Sequence, residues 1–283
     1  MDGIINVLKP AGMTSFDVIA FLRRIYGQKK IGHGGTLDPM AAGVLPVFLG
    51  RAARLIEYAP IHQKTYEAEF MMGISTDTED LTGEVVRTGI IEEDICRWKL
   101  AAEKFCGNIE QVPSIYSAIL INGRRAYQMA RNGENVDLPK RRVRIYNLDI
   151  REIEAPYIRM SITCSSGTYV RALGRDLGNE VGVPLAMSFL LRTRMGPFEI
   201  NEARTLEEIE KNPSDCLISD LRPILSHLKS VELQPAKAAD FLQGKRLHTV
   251  EIDAETVAVF SEGRFLGVAS AEKGILHPRK VFS

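Results

Sequence analysis

Residues 142–181 read RVRIYNLDIREIEAPYIRMSITCSSGTYVRALGRDLGNEV, and the change of period inside this stretch decides the fold class. From Arg142 to Ile153, and again from Tyr157 to Cys164, apolar and polar side chains alternate as they do in strands with one buried face. From Tyr169 to Val181 the apolar residues return at helical spacing. Two paired strands followed by a helix, without a regular strand-helix-strand beat, predict an α+β fold rather than a doubly wound parallel sheet.

The same reading extends outward. Ser15–Tyr26 (SFDVIAFLRRIY) predicts a helix that Thr14 or Ser15 caps. Thr65–Gly73 alternates as a strand, Glu92–Phe105 reads as a helix ended by Gly107, and Ala126–Arg131 reads as a short helix. Residues 31–50, IGHGGTLDPMAAGVLPVFLG, hold five glycines and two prolines, so they predict a loop leading into a buried stretch. After Leu228 the texture changes. Ala236–Leu242 is a short helix closed by Gly244, and VAVFSEGRFLGVA is two strands around a Glu-Gly turn. Residues 229–283 therefore read as a small, mostly β module appended to a main domain of residues 1–228.

With 283 residues, 45% apolar and 25% charged, the chain has the composition of a folded globular protein. Its 36 basic and 36 acidic side chains cancel, but they are segregated. Residues 123–151 carry eight bases against three acids, and residues 199–220 carry seven acids against two bases. A third segment, 21–54, holds Arg23, Arg24, Lys29, Lys30, Arg51 and Arg54 against Asp38 alone. Two basic segments compensated elsewhere suit a polyanion partner, while the stretch LPKRRVRIYNLDI also fits the solvated face of a strand. The four scattered cysteines form no C-x-x-C pair, which argues against a zinc ribbon or a disulfide scaffold. No uncharged apolar run approaches the ~20 residues of a membrane helix, and the start of the chain does not read as a signal peptide. The expectation is a soluble, cytoplasmic protein.

Phosphate-loop, dinucleotide, zinc-protease and zinc-deaminase signatures are absent, so a mechanism without metal or cofactor is expected. What remains is the loop Gly32-His33-Gly34-Gly35-Thr36-Leu37-Asp38-Pro39. Its glycines let the backbone lie close to a ligand, and Pro39 pushes Asp38 out of the helical region. An Asp before Pro is commonly a turn former. Here an apolar wall follows at once, which places the carboxylate where a nucleophile would be useful.

Four blocks in order carry a resemblance: GIINVLKPAGMTS (3–15), KIGHGGTLDPMAAGVLPVFLGRAARL (30–55), KTYEAEFMMGISTDTEDLTGEV (64–85) and CSSGTYVRALGRDLG (164–178). Together they resemble the bacterial tRNA pseudouridine synthase B (TruB) family, over most of the chain. The resemblance implies a pseudouridine synthase fold with a mixed, mainly antiparallel central sheet, followed by a small PUA-like β-barrel at residues 229–283. It also implies isomerisation of the T-loop uridine conventionally numbered 55, with tRNA as partner and the protein acting as a monomer.

By the same resemblance Asp38 is the nucleophile, attacking the base or the sugar C1′. Tyr66 stacks on the flipped base and helps remove the C5 proton, and Arg171 is the counter-charge of the carboxylate. His33 enters the RNA where nucleotides are flipped out. Lys9 and Tyr169 match further active-site positions, Leu190 lines the uracil pocket, and Asp77 matches an acid near the RNA. Without the family, each has an ordinary structural use: a strand aromatic, a surface ion pair, a loop histidine, a turn aspartate. Ser114 and Ile119 stand where the family shows proline and lysine, and Leu191 where it shows arginine, which bears on RNA affinity more than on chemistry. Two rival readings are a tRNA-folding chaperone and an Asp-nucleophile hydrolase; the latter should show metal-binding acids near Asp38.

Overall fold

The computed structural model describes residues 1–248 and 252–282. In chain order the elements that position the site are β1 (Gly3–Lys9), α1 (Ser15–Tyr26), β2 (Ile31–His33), β3 (Ala42–Leu49), β4 (Gln63–Met72), α2 (Ile95–Glu103), β5 (Gly107–Gln111), α3 (Ala126–Arg131), β6 (Arg141–Glu154), β7 (Tyr157–Ser165), α4 (Val170–Val181) and β8 (Leu185–Met195). The predicted pair of strands is β6 and β7, antiparallel from Ile145 opposite Cys164 to Glu154 opposite Tyr157. The helix expected after them is α4.

The central sheet runs in the order β1-β3-β8-β4-β7-β6-β5, with β2 also paired to β3. Every pair on this path is antiparallel except β3 with β8, which meet over Leu191–Ala42 and Arg192–Gly43 alone. That short parallel contact is possible because Gly43, at φ +115°, has no side chain: a Cβ there would lie 2.2 Å from the Arg192 carbonyl oxygen. The loop carrying Asp38 feeds into β3 beside this junction.

The helices cover the sheet with apolar faces. α1 starts at a reciprocal capping box between Thr14 and Asp17 and ends at Gly27 in the left-handed conformation, burying Val18, Ile19 and Leu22 against β1 and β3. α2 begins one turn later than its sequence suggests, because the Asp94 carboxylate caps it at the Cys96 amide. α4 buries Val170, Leu173 and Leu177 in the cluster that also holds Phe70 and Met160. It can lie this close to β4 because residue 174 is glycine: a Cβ would come within 2.0 Å of the Phe70 ring.

Beyond the short helix α5 (Leu206–Lys211), the chain forms β9 (Lys229–Glu232), α6 (Pro235–Leu242), β10 (Leu247–His248), β11 (Ala254–Ser261), β12 (Arg264–Glu272) and β13 (Ile275–Val281). These strands make a second, bulged five-stranded sheet, in the order β9-β11-β12-β13-β10. The predicted Glu-Gly turn joins β11 to β12, with Glu262 and Gly263 both at positive φ. One face of this sheet packs with α6 around Phe241 and Val259. Its other face, through Ala258, Phe260, Val268 and Phe282, shares a core with Ile4, Val44 and Phe48 of the main sheet.

Sheet order sets two of the charged segments apart, while Arg24 of the basic segment 21–54 pairs with Glu210 of the acidic one. The basic segment 123–151 includes β6, next to one edge, whereas the acidic segment 199–220 lies against β1 at the other edge, through bridges Val7–Arg204 and Ile4–Ile218. Among the described residues no helix is long and apolar enough to cross a membrane, and all four cysteines are free.

Candidate active site

The Asp38 loop is tied down from behind. Gly34 donates its amide to the Pro46 carbonyl at 2.9 Å, and Gly12 donates to the Pro39 carbonyl at 2.8 Å. The Ser15 hydroxyl accepts from the Leu37 amide at 2.9 Å and donates back to the Leu37 carbonyl at 3.2 Å. Two fully buried cations complete the cradle. Arg192 donates to Val44 at 2.7 Å, Gly35 at 3.1 Å and Thr36 at 3.4 Å; Lys9 donates to Ala41 at 2.6 Å, Pro10 at 2.8 Å and Pro39 at 3.4 Å. Burying a charge is costly unless hydrogen bonds compensate, and here backbone carbonyls compensate both. Burial lowers the Lys9 ammonium to about 8.

On the outer side of this cradle the Asp38 carboxylate meets Arg171 at 2.8 Å. Arg171 projects from the first turn of α4 and is itself held in place. It pairs with Asp80 at 3.3 Å and donates to the carbonyls of Thr78 at 3.0 Å and Tyr116 at 3.1 Å. Asp80 is in turn held by the Thr78 hydroxyl at 2.8 Å and the Thr82 amide at 3.0 Å. The arginine side chain is 7% exposed and Asp38 39%, so the guanidinium is fixed while the carboxylate remains accessible.

Asp38 stands where two cavities meet. The smaller, about 350 Å³, is lined by Asp38, Lys64, Tyr66, Tyr169, Leu190 and Arg171 among others. The larger, about 810 Å³, is a groove bordered by Phe16, His33, Tyr116, Arg125, Tyr127 and Arg131, with Asp38 and Arg171 again in its wall. A pocket of the size of one nucleotide opening into a basic, aromatic groove suits a flipped base on a polymer.

Of the residues singled out in the sequence, Asp38, Arg171, Tyr66, Tyr169 and Leu190 come together around the smaller cavity, and His33 lines the groove. Tyr66 and Leu190 are almost completely buried, on neighbouring strands. Burial raises the Tyr66 phenol above its ordinary value, so it is neutral at neutral pH. The Tyr169 backbone is pinned by both ends of the Gln111 amide, at 2.9 and 3.1 Å. His33 Nδ1 is buried without a partner among the described residues, and burial and the Arg192 charge keep the ring neutral.

Two expected site residues sit elsewhere. Lys9 lies beneath the loop, and Asp77 spends its carboxylate on the Glu84 amide and the Tyr116 hydroxyl, both at 2.8 Å. Asp77 thus shapes a turn and steadies a groove residue. The acid that reaches the centre is Asp80, three positions on, which sequence reasoning passed over because STDTED reads as turn chemistry throughout. Lys64, Arg192 and Ser15 were passed over too: Lys64 and Ser15 lie inside quoted blocks and Arg192 beyond them, and nothing in residue type or spacing says which way their side chains point.

Known proteins place this architecture. Residues 23–170 match the family model described as TruB family pseudouridylate synthase, N-terminal domain, and residues 230–282 match the one described as pseudouridine synthase II TruB, C-terminal. The tRNA pseudouridine synthase B of Caldanaerobacter subterraneus subsp. tengcongensis is 41% identical, covering 100% of this chain and 99% of its own. That of Moorella thermoacetica is 48% identical over 73% of this chain and 70% of its own. Among solved structures, an H/ACA RNP bound to a substrate RNA containing 2′-deoxyuridine matches with a TM-score of 0.71 at 25% identity, covering 99% of this chain and 85% of that one. A Cbf5-Nop10-Gar1 complex matches equally well, with a TM-score of 0.71 at 26% identity over the same shares. Their shared fold is the one described above, a mixed sheet followed by a smaller PUA-like sheet. On the family match and the full-length identity together, the chain belongs to the TruB family of pseudouridylate synthases.

Proposed function

We propose that this protein isomerises the T-loop uridine of tRNA, position 55 by convention, to pseudouridine, with Asp38 as nucleophile acting on a base flipped out of the loop. The observation that carries this reading is the placement of Asp38: a carboxylate fixed by Arg171 at the point where a nucleotide-sized pocket opens into a basic groove. In the reaction the N1–C1′ bond breaks, the base turns, C5 bonds to C1′, and the proton lost from C5 is balanced by one gained at N1. Nothing is oxidised or hydrolysed, and no metal or cofactor is required.

Each group has a task that its environment suits. Arg171 holds the carboxylate in an attacking position without covering it. Leu190 and Tyr66 supply the apolar wall and the ring against which uracil stacks. Because the Tyr66 phenol stays protonated when buried, its assistance at C5 requires a partner to take the proton. His33, neutral and flat beside the glycines, fills the space a flipped nucleotide leaves. The basic edge around Arg141, Arg142 and Arg144 attracts the RNA, and residues 229–283 form a domain that extends the footprint, on a monomer.

A T-arm RNA tritiated at uridine C5 tests the reading: label should appear in water with wild-type protein and not with Asp38→Asn. Release of label by the variant would remove Asp38 from the mechanism. Tight binding without release by the wild type would favour an RNA-folding role.

A further inference from the structure

Lys64 is a cation inside the smaller cavity that nothing in the mechanism so far uses. It lies two residues before Tyr66 on β4, so both side chains leave the same face of the strand, and both line the wall that Asp38 shares. Its neighbours across the sheet are Cys164 on β7 and Met195 on β8. At the loop, the ammonium occupies space that Gly35 leaves open: a Cβ on residue 35 would lie 3.3 Å from Lys64 Nζ.

No carboxylate pairs with Lys64 among the described residues, although acids pair with many of the protein's other cations. Of the other cations lining the cavity, Arg171 is committed to Asp38 and Asp80, and Arg141 stands exposed on β6, while Arg192 beneath the loop is committed to three carbonyls. Burial and then the Arg192 charge lower the Lys64 ammonium to about 8. The lysine shares a cavity with Asp38, whose ion pair is with Arg171. A half-buried cation with no anion is unfavourable in the free protein and favourable once an anion arrives. In a pocket that takes one nucleotide, the anion at hand is that nucleotide's phosphodiester.

We infer that Lys64 binds a phosphate flanking the flipped nucleotide and so fixes the sugar over Asp38. The inference rests on the proposed function for the identity of the ligand. It assigns to Lys64 a binding contact that forms only when the target nucleotide enters the cavity.

The test is a binding cycle in the Asp38→Asn background, which prevents turnover. T-arm RNAs carry a charge-neutral methylphosphonate at the phosphate 5′ or 3′ of the target uridine, and Lys64→Met is compared with Lys64. At one of the two positions the methylphosphonate should weaken binding to Lys64 protein roughly 10- to 100-fold, as losing a charged hydrogen bond does. There it should weaken binding to the Lys64→Met protein hardly at all. Equal losses in both proteins at both positions would overturn the inference.

A second arm needs no variant at position 64. Phosphate binding requires the charged amine, so affinity for unmodified RNA should fall as pH rises above about 8. Affinity for the informative methylphosphonate RNA should not show this fall. Cys164, held at about 11 by burial, does not titrate in this window, and the comparison between RNAs cancels Lys9. Parallel pH profiles for the two RNAs would contradict the inference. Tritium release by wild-type protein is measured separately, so failure of the proposed function and failure of the lysine contact give different results.

Discussion

Lys9 and Arg192 are completely buried cations whose partners are carbonyls, and between them they hold the backbone from Gly35 to Val44. Leaving a buried polar group unpaired costs about 1–3 kcal/mol. Lys9→Met should therefore lower the melting temperature by several degrees and reduce the rate at saturating protein, since it loosens the loop under Asp38; unchanged melting and rate would show the contacts are dispensable. Arg171→Leu should be more damaging to the reaction than to the fold. It leaves Asp38 and Asp80 facing each other without a counter-charge, and single-turnover rates should fall at least a hundredfold, on the order of what a mispositioned catalytic group costs. Retention of most activity would separate Arg171 from the mechanism. At this scale the sequence was legible where residue type restricts chemistry: Asp38, between glycines and proline, stood out by itself. Asp80 and Lys64 did not, because an acid in a turn and a lysine in a strand have commonplace uses, and only the third dimension aims them at the centre.

The elements were readable where period and punctuation agree. β6, β7, α4 and α1 appear within a residue or two of where alternation and capping put them. The order of strands was not readable, because β3 meets β8 through two residue pairs far apart in the chain. α4 offers a test of how closely element packing controls the site. Gly174→Ala should gain ~1 kcal/mol of helix propensity. Against this, the new Cβ would lie 2.0 to 2.7 Å from three atoms of the buried Phe70 ring. Overpacking of that kind costs about 1–3 kcal/mol or more, so the clash should win and the melting temperature should fall. Because α4 carries Arg171, activity should fall with it; a more stable variant would mean the helix moves freely over β4. Arg141, Arg142 and Arg144 are exposed along β6, and Arg141 also lines the smaller cavity. Replacing all three should weaken RNA binding and flatten its salt dependence, each lost phosphate contact removing roughly 0.7 to 0.9 of a unit from the log-log slope. An unchanged slope would place the RNA elsewhere.

At the scale of the whole molecule, the change of texture after Leu228 coincides with the start of the second sheet at Lys229. What the sequence did not disclose is how the two parts join: Phe260 and Phe282 stack through Phe265 and share a core with Phe48 and Ile4. A protein ending at Leu228 should therefore melt several degrees lower than the full chain. It should still isomerise uridine when its concentration exceeds the dissociation constant, because every residue at the Asp38 centre lies upstream. A folded truncation inactive at saturation would show that the second sheet completes the site. The segregation of charge was visible in the chain, whereas its placement, with the bases of 123–151 toward one edge of the main sheet and the acids of 199–220 against the other beside the basic segment 21–54, required the strand order. On the function proposed above, this scaffold presents one carboxylate to a flipped uridine. The most direct test is single-turnover tritium release from C5-labelled T-arm RNA by wild-type and Asp38→Asn protein at saturating concentration, with binding measured in parallel. Stoichiometric release by the wild type, none by the variant, and affinities within a few fold are the expected results; release by Asp38→Asn at a comparable rate would contradict the account.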